Sequence, residues 1–117
     1  MLEFHLPYPP SVNHYWRRVG PRTLISRGGR LFRKQVCAIV ARHDVQPLAG
    51  PLEVQVKLYP PDRRRRDIDN TLKAVLDSLQ HGGAYEDDNQ IVRLGIEKCE
   101  RTPGGRAVVR ISEIEDQ

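Results

Sequence analysis

Residues 52–59 carry the pattern that most restricts how this chain can fold. Apolar side chains alternate there with polar or aromatic ones, the apolar set being Leu52, Val54, Val56 and Leu58. Such alternation is typical of a β-strand with one buried face. Gly50-Pro51 before the run and Pro60-Pro61 after it interrupt regular structure, so they mark both ends of the strand. The chain must therefore supply a sheet and a layer that covers one of its faces.

The remaining elements follow from the spacing of apolar residues. Helical spacing occurs at residues 30–43 and again from about Asp69 to a stop signal at Gly82-Gly83. Short strands are predicted at residues 2–6, 23–25, 92–96 and 107–111. Residues 11–18 are predicted to be irregular, and Pro103-Gly104-Gly105 to be a hairpin connection. The order β-(β)-α-β-α-β-β, in one domain of residues 1–117, predicts an α+β, two-layer fold with two helices on one face of a mixed sheet.

Several classes of protein are excluded by what the sequence lacks. No apolar run approaches the ~20 residues of a membrane-spanning helix, and the N-terminal residues lack the pattern of a signal peptide. Cys37 and Cys99 have no close-spaced Cys or His partners, so neither a zinc site nor a disulfide framework is expected. These features together predict a cytoplasmic protein.

Charge is divided unevenly along the chain. The net charge is +4, but residues 1–66 hold 13 Lys and Arg against 4 Asp and Glu, whereas residues 67–117 hold 6 against 11. Arg outnumbers Lys by 15 to 4, and the planar guanidinium pairs bidentately with phosphate. We therefore expect the basic half to bind a polyanion and the acidic half to supply carboxylates for a separate task.

The boundary between these halves falls inside the densest cluster of charge. Four consecutive arginines at residues 63–66 are followed at once by Asp67 and Asp69. Because like charges repel, such an arginine run either lies in water or contacts anions. The aspartates stand at a predicted helix start, where Asp is an ordinary capping residue. Capping is therefore an alternative to a catalytic role for both.

A second acidic group, Glu86-Asp87-Asp88, precedes the strand predicted at residues 92–96. If that strand pairs beside the strand ending at Tyr59, Asp88 returns toward Asp67 and Asp69. Three such carboxylates would form an oxygen-rich site suited to Mg²⁺ or Mn²⁺. Lys73, one helical turn after Asp69, would be placed to stabilise charge that develops on a phosphate. Hydrolysis of a phosphodiester requires this combination, because metal ions activate water and neutralise developing charge.

The chain resembles the RusA-type Holliday-junction resolvases, a family of crossover junction endodeoxyribonucleases. The likeness rests on the run Pro-Asp-Arg-Arg-Arg-Arg-Asp-Ile-Asp-Asn at residues 61–70, on Lys73 and Asp77, and on Glu-Asp-Asp-Asn-Gln-Ile-Val at residues 86–92. Pro-Pro-Ser-Val-Asn at residues 9–13 is similar to the family's N-terminal pattern. The resemblance spans nearly the whole chain.

This resemblance implies a homodimeric, Mg²⁺-dependent endonuclease that resolves four-way DNA junctions by paired cuts on opposed strands, in recombination and repair. It implies that Asp67, Asp69 and Asp88 are the catalytic, metal-binding aspartates and that Lys73 is the essential lysine. The register of the segment against the family's motif places the third catalytic aspartate at Asp88 and not at its neighbour Asp87. A bacterial or prophage origin is implied as well. The residues expected to bind DNA are Asn13, Arg17, Arg18, Arg63, Arg64, Arg65, Arg66 and Asn70.

Two other functions fit parts of the pattern. A non-catalytic nucleic-acid-binding module would use the same arginines and need the aspartates only as caps. A metal-dependent transferase would use the Asp-x-Asp pair, although the sequence lacks a glycine-rich loop that cradles a nucleotide. Tyr15 and Trp16 either stack on bases at a junction or pack on the sheet. Asp77 is interpreted as a solvated surface charge.

Overall fold

The computed structural model describes residues 1–114, which form a four-stranded sheet, a two-stranded sheet and three α-helices. The strands are β1 (Leu2–Leu6), β2 (Trp16–Val19), β3 (Arg22–Ile25), β4 (Leu52–Tyr59), β5 (Ile91–Lys98) and β6 (Arg106–Glu113). The helices are α1 (Val12–Tyr15), α2 (Arg27–Arg42) and α3 (Leu72–His81), and a 3-10 helix spans Asp88–Gln90. None of the described helices is long and apolar enough to cross a membrane.

Strand β4 lies inside the larger sheet, whose order is β1-β6-β4-β5. It pairs antiparallel with β6 and parallel with β5. The parallel pair is joined through α3, as parallel strands require a crossover connection. The alternating side chains predicted to be buried on β4 are buried, namely Leu52, Val54, Val56 and Leu58.

Helices α2 and α3 cover one face of this sheet. Phe32, Val36 and Val40 of α2 share one apolar core with Val75 and Leu79 of α3 and with the buried side chains of β4. Both helices are amphipathic, so burial of their apolar stripes against the sheet supplies most of their stability. The predicted α+β class, a mixed sheet with two helices on one face, is confirmed.

The connection from β5 to β6 is not the predicted hairpin. β4 lies between β5 and β6, so the connecting chain crosses the end of β4 instead of turning back on β5. Two hydrogen bonds hold it there, from Cys99 N to Leu58 O at 2.7 Å and from Thr102 N to Pro60 O at 2.8 Å. The α3 crossover places β5 on the opposite side of β4 from β6. This strand order depends on pairing between residues far apart in the chain, so the local sequence does not predict it.

Residues 11–18 are also more regular than predicted. They form the short helix α1 and the strand β2, which pairs with β3 in a hairpin separate from the main sheet. Helix α3 in turn begins at Leu72 and not at Asp69, because residues 67–70 form a turn in which Asn70 N donates to Asp67 O at 3.2 Å.

Candidate active site

Asp67 and Asp69 lie in the exposed turn that links the arginine run to α3. Thr71, not an aspartate, occupies the N-cap of α3, and its side chain makes no capping hydrogen bond. The backbone carbonyl of Asp69 accepts from Leu72 N at 3.2 Å, which fixes the turn against the helix. The aspartate side chains therefore do not perform the capping role that the sequence left open.

The carboxylates of Asp67, Asp69 and Asp88 are free of hydrogen bonds to other described residues. The aspartate side chains that do accept hydrogen bonds belong to Asp62, Asp77 and Asp87. Unpaired carboxylates with exposed oxygens are hard ligands of the kind that Mg²⁺ takes up together with waters. The donor set at Asp67 and Asp69 therefore fits a divalent metal bound by one or two carboxylates and a substrate phosphate.

Lys73 shares a surface depression of about 420 Å³ with Asp69. The depression is also lined by Val12, Asn70, Leu72 and Leu76. Lys73 is exposed and makes no ion pair within residues 1–114. Its ammonium group is thus available to an anion that enters beside Asp69.

Asp88 begins the 3-10 helix that precedes β5, and its neighbour Asp87 caps that helix. The Asp87 side chain accepts from Asn89 N at 2.9 Å, and the Gln90 side chain accepts in return from Asp87 N at 2.9 Å. The backbone N–H of Asp88 donates to Gln80 Oε1 of α3 at 3.0 Å. Asp87 is therefore committed to a structural role, whereas the backbone of Asp88 is held and its carboxylate is left free.

The three aspartates do not form a three-ligand group within the described chain. Among residues 1–114, no cluster of three or more Asp, Glu, His or Cys side chains is arranged to hold a metal ion. Because β5 runs parallel to β4, its start lies at the opposite end of the sheet from the segment that follows β4. Asp88 consequently lies against the C-terminal half of α3, whereas Asp69 and Lys73 lie at its beginning. The catalytic roles of all four residues stay predictions.

The four arginines at residues 63–66 do not share one environment. Arg66 is turned inward: its Nη1 donates to Asp62 at 2.7 Å, and its guanidinium lies 5.4 Å from the centroid of the Tyr8 ring. Lys98 Nζ donates to the carbonyl oxygen of Arg66 at 2.6 Å. Hydrogen bonds from Arg66 and from Arg64 N lower the pKa of Asp62 to about 2, so that carboxylate stays charged. Arg66 thus shapes the loop.

Arg63, Arg64 and Arg65 are exposed. Arg64 and Arg65, together with Arg66, line a cleft of about 310 Å³ between the arginine loop and the Pro-rich N-terminal segment. The cleft is also lined by Asn70 and Thr71 and, from the N-terminal segment, by Tyr8, Pro9, Pro10, Ser11 and His14. Asn70 therefore lines both this cleft and the depression that holds Asp69 and Lys73.

A third depression shares a lining residue, Val12, with the Asp69–Lys73 depression. It is lined by Val12, Asn13, Trp16, Arg17, Arg18 and Thr23. Val12 also lines the Asp69–Lys73 depression, so the three adjoin through Asn70 and Val12. We call this path the groove: Arg64 and Arg65 at one end, Asp69 and Lys73 in the middle, Arg17 and Arg18 at the other end.

One cluster beside the groove was missed by sequence reasoning. Asp77 is not a solvated charge: Arg33 Nη2 donates to its carboxylate at 2.6 Å, and the Tyr15 hydroxyl donates to the same oxygen. Burial of the Asp77 carboxyl would raise its pKa, but these hydrogen bonds and the Arg33 charge outweigh burial, so the pKa lies below its usual value. Burial, and then the bond to Asp77, raise the pKa of Tyr15, which remains a donor. No local pattern links these three residues.

The Tyr15 side chain is fully buried in this cluster, so it is not available to stack on a base. Trp16 is partly buried, packs against the core, and meets the Tyr15 ring edge-on at a centroid distance of 5.0 Å. Tyr15 therefore packs and cannot stack, whereas Trp16 packs against the core and also lines the third depression.

Comparison with known proteins identifies the family of the chain. The family model described as Endodeoxyribonuclease RusA matches residues 7–112. A protein of Enterobacteria phage HK97 named crossover junction endodeoxyribonuclease rusA is 43% identical over 114 residues, covering 97% of this chain and 95% of the phage protein. The crossover junction endodeoxyribonuclease RusA of Escherichia coli strain K12 is 40% identical over 111 residues, covering 93% and 92%. A protein of the same name from Enterobacteria phage 82 is 40% identical over 110 residues.

Proposed function

The chain belongs to the RusA endodeoxyribonuclease family, and from that premise we propose that it resolves four-way DNA junctions by metal-dependent hydrolysis of phosphodiester bonds, in recombination and repair. The observation that carries the proposal is the groove, in which Asp69 and Lys73 lie between two pairs of exposed arginines. We also propose that it acts in the cytoplasm of a bacterium, encoded by the bacterium or by a prophage, as its phage and bacterial relatives suggest.

The ends of the groove bind the DNA backbone. Arg64 and Arg65 on one side and Arg17 and Arg18 on the other are exposed, and guanidinium groups pair with phosphate oxygens. Asn13 and Asn70 line the same path and can donate hydrogen bonds to phosphate oxygens. A strand held at both ends places a phosphodiester beside Asp69 and Lys73.

The middle of the groove carries the chemistry. Asp67 and Asp69 would hold Mg²⁺, with Mn²⁺ as a substitute, and such an ion would supply a water of lowered pKa and stabilise charge on the phosphate. Lys73 donates a charged hydrogen bond to a non-bridging oxygen as negative charge grows there. Because the Lys73 ammonium has no carboxylate partner in the described chain, it reaches the phosphate without first breaking an ion pair.

Two cuts on opposed strands require two active sites, and each chain has one set of these residues. We therefore propose that the protein acts as a homodimer. Strand β5 is one of the two edge strands of the larger sheet, and it exposes 65% of Val92 and 40% of Leu94. Exposed apolar side chains on an open edge strand favour association with another chain, so we assign β5 to the interface between the two copies.

The dimer also accounts for the position of Asp88, which directly precedes β5. Asp88 and Asp69 of one chain lie at opposite ends of α3, so we propose that Asp88 completes the site of the second copy. Mixing the Asp69→Asn and Asp88→Asn variants tests this assignment. If the site is shared between copies, a mixed dimer contains one intact site and regains nicking. If each site belongs to one chain, both sites remain defective and no activity returns.

The function itself is tested with a synthetic four-way junction and a linear duplex of the same sequence. Each DNA is incubated with the protein, with and without Mg²⁺. Paired nicks in the junction alone, only with Mg²⁺, are expected. Junction binding without cutting would instead support the non-catalytic module, and inertness toward both DNAs would favour a transferase.

A further inference from the structure

The β2–β3 hairpin projects from the body of the protein and belongs to a sheet of its own. Its strands pair only with each other, from Trp16 opposite Ile25 to Val19 opposite Arg22. Trp16 and Ile25, at the base, pack against the apolar core. The distal residues are exposed, so the outer half of the hairpin has no partner within the described chain.

The base of the hairpin is firmly attached. Ser26 N donates to Tyr15 O at 2.8 Å, and Tyr15 is itself held by the hydrogen bonds to Asp77 and Arg33. Gly29 packs so closely that a Cβ there would overlap the Tyr15 carbonyl oxygen and lie 2.9 Å from Ile25 Cγ1. Because its base is fixed to the body of the protein, the hairpin holds its tip in a defined position against any partner.

The tip combines exposed apolar groups with guanidinium groups. Val19 is 45% exposed, Gly20 makes the turn at φ 59°, and Pro21 is exposed beside it. Arg18 and Arg22 flank this tip on the two strands. An exposed valine next to an exposed proline gives the tip an apolar surface that a partner can cover. Proteins that kink DNA insert apolar residues, proline among them, between base pairs while arginines hold the adjacent backbone.

The position of the hairpin relative to the active site suits such an insertion. Arg17, Arg18 and Thr23 line the end of the groove that adjoins the Asp69–Lys73 depression at Val12. DNA that leaves the cleavage position therefore meets the hairpin next. At the branch point of a four-way junction, base stacking is already interrupted, so opening a base step costs less there than in a continuous duplex.

We propose that residues 19–21 insert between bases at the branch point, with Arg18 and Arg22 on the neighbouring phosphates. This inference rests on the proposed function and adds the element that distinguishes a junction from a duplex. The insertion supplies structure selectivity, whereas the arginines elsewhere in the groove bind any DNA backbone.

A junction that carries 2-aminopurine at a branch-point position tests the proposal, because the fluorescence of this base rises when it is unstacked. Binding is measured in EDTA so that the DNA stays intact. The wild-type protein should raise the fluorescence in the junction but not in a linear duplex. Val19→Ser should abolish most of the rise and lower the preference for junction over duplex about tenfold, or about 1.4 kcal/mol. Val19→Leu, which keeps an apolar tip, should preserve both.

Leu31→Ser is the matched control, since Leu31 is 58% exposed on α2 outside the hairpin, and its replacement should change neither signal. A fluorescence rise that is the same in Val19→Ser as in the wild-type protein would overturn the insertion and leave only backbone contacts at the tip. If that unchanged fluorescence rise is accompanied by normal cutting of the junction, the insertion is wrong but the proposed nuclease function stands. A wild-type protein that never cuts the junction contradicts the nuclease instead.

Discussion

The backbone N–H of Val12 donates to the carbonyl oxygen of Asn70 at 2.7 Å. This hydrogen bond joins the N-terminal segment to the turn that carries Asp67 and Asp69. Val12 and Asn70 both line the Asp69–Lys73 depression. Val12 also lines the depression that holds Arg17 and Arg18, and Asn70 also lines the cleft that holds Arg64 and Arg65. The groove is therefore a product of tertiary contact, and its continuity depends on how the N-terminal segment is anchored.

Gly29→Ala should weaken that anchor. Alanine normally stabilises a helix relative to glycine, but a Cβ at this position would overlap the Tyr15 carbonyl oxygen. We expect a loss of about 1–3 kcal/mol in the free energy of unfolding, measured by urea denaturation. Gly28→Ala is the control, because its nearest contact would be Ser26 Oγ at 4.0 Å, and it should lose nothing. Equal effects of the two substitutions would refute the close approach.

Asp77→Asn should destabilise the protein by about 1–3 kcal/mol at pH 7, because it leaves the half-buried Arg33 guanidinium without its carboxylate. The folded-state pKa of Asp77 lies below its ordinary value of 3.8. Its contribution is therefore complete above pH 3.8 and is lost as the pH falls through the lower folded-state value. Urea unfolding at several pH values should show the gap between wild type and variant closing at acid pH. A difference in the free energy of unfolding that widened at acid pH would contradict the ion pair between Asp77 and Arg33 as the source of this stability.

Arg64→Ala and Arg65→Ala should weaken junction binding and its dependence on salt. The binding constant K falls as salt rises, and each phosphate contact that is removed makes the slope of log K against log salt less steep by about 0.9. Arg42→Ala, at the end of α2 and outside the groove, should leave affinity and slope unchanged. Arg66→Ala should differ in kind: it removes the ion pair with Asp62 and should lower stability as well as binding. Titrations at several salt concentrations separate these outcomes.

Lys73→Ala should slow the chemical step about 10²–10³-fold, the usual effect of removing one donor to a developing oxyanion. Junction affinity in EDTA should change little, because one of several basic contacts is lost. Single-turnover cleavage and gel-shift binding measure the two quantities separately. A loss of affinity as large as the loss of rate would assign Lys73 to docking.

Features carried by local sequence were predictable. The alternation at residues 52–59 specified β4 with its bounds, and helical spacing located α2 and α3. The charged segment at residues 61–73 predicted the candidate site, because four consecutive arginines repel one another unless water or an anion surrounds them. These patterns arise from contacts within one element or one loop.

Features that depend on distant contacts were not predictable. Asp77 pairs with Arg33 from another helix, so its burial leaves no trace in the sequence around it. The inward turn of Arg66 depends on Tyr8, Asp62 and Lys98, which come from three different segments. The separation of Asp88 from Asp69 follows from the parallel pairing of β4 and β5.

The most direct measurement of the central claim compares junction cleavage and junction binding by Asp69→Asn. Asparagine keeps the shape of the side chain but removes the negative charge that a divalent metal requires. Asp44→Asn makes the same change at an exposed position outside the groove, where φ is 49° and asparagine is equally tolerated. We predict that Asp69→Asn abolishes Mg²⁺-dependent cleavage and retains junction affinity, whereas Asp44→Asn retains both. Full cutting of the junction by Asp69→Asn in Mg²⁺ would contradict the account.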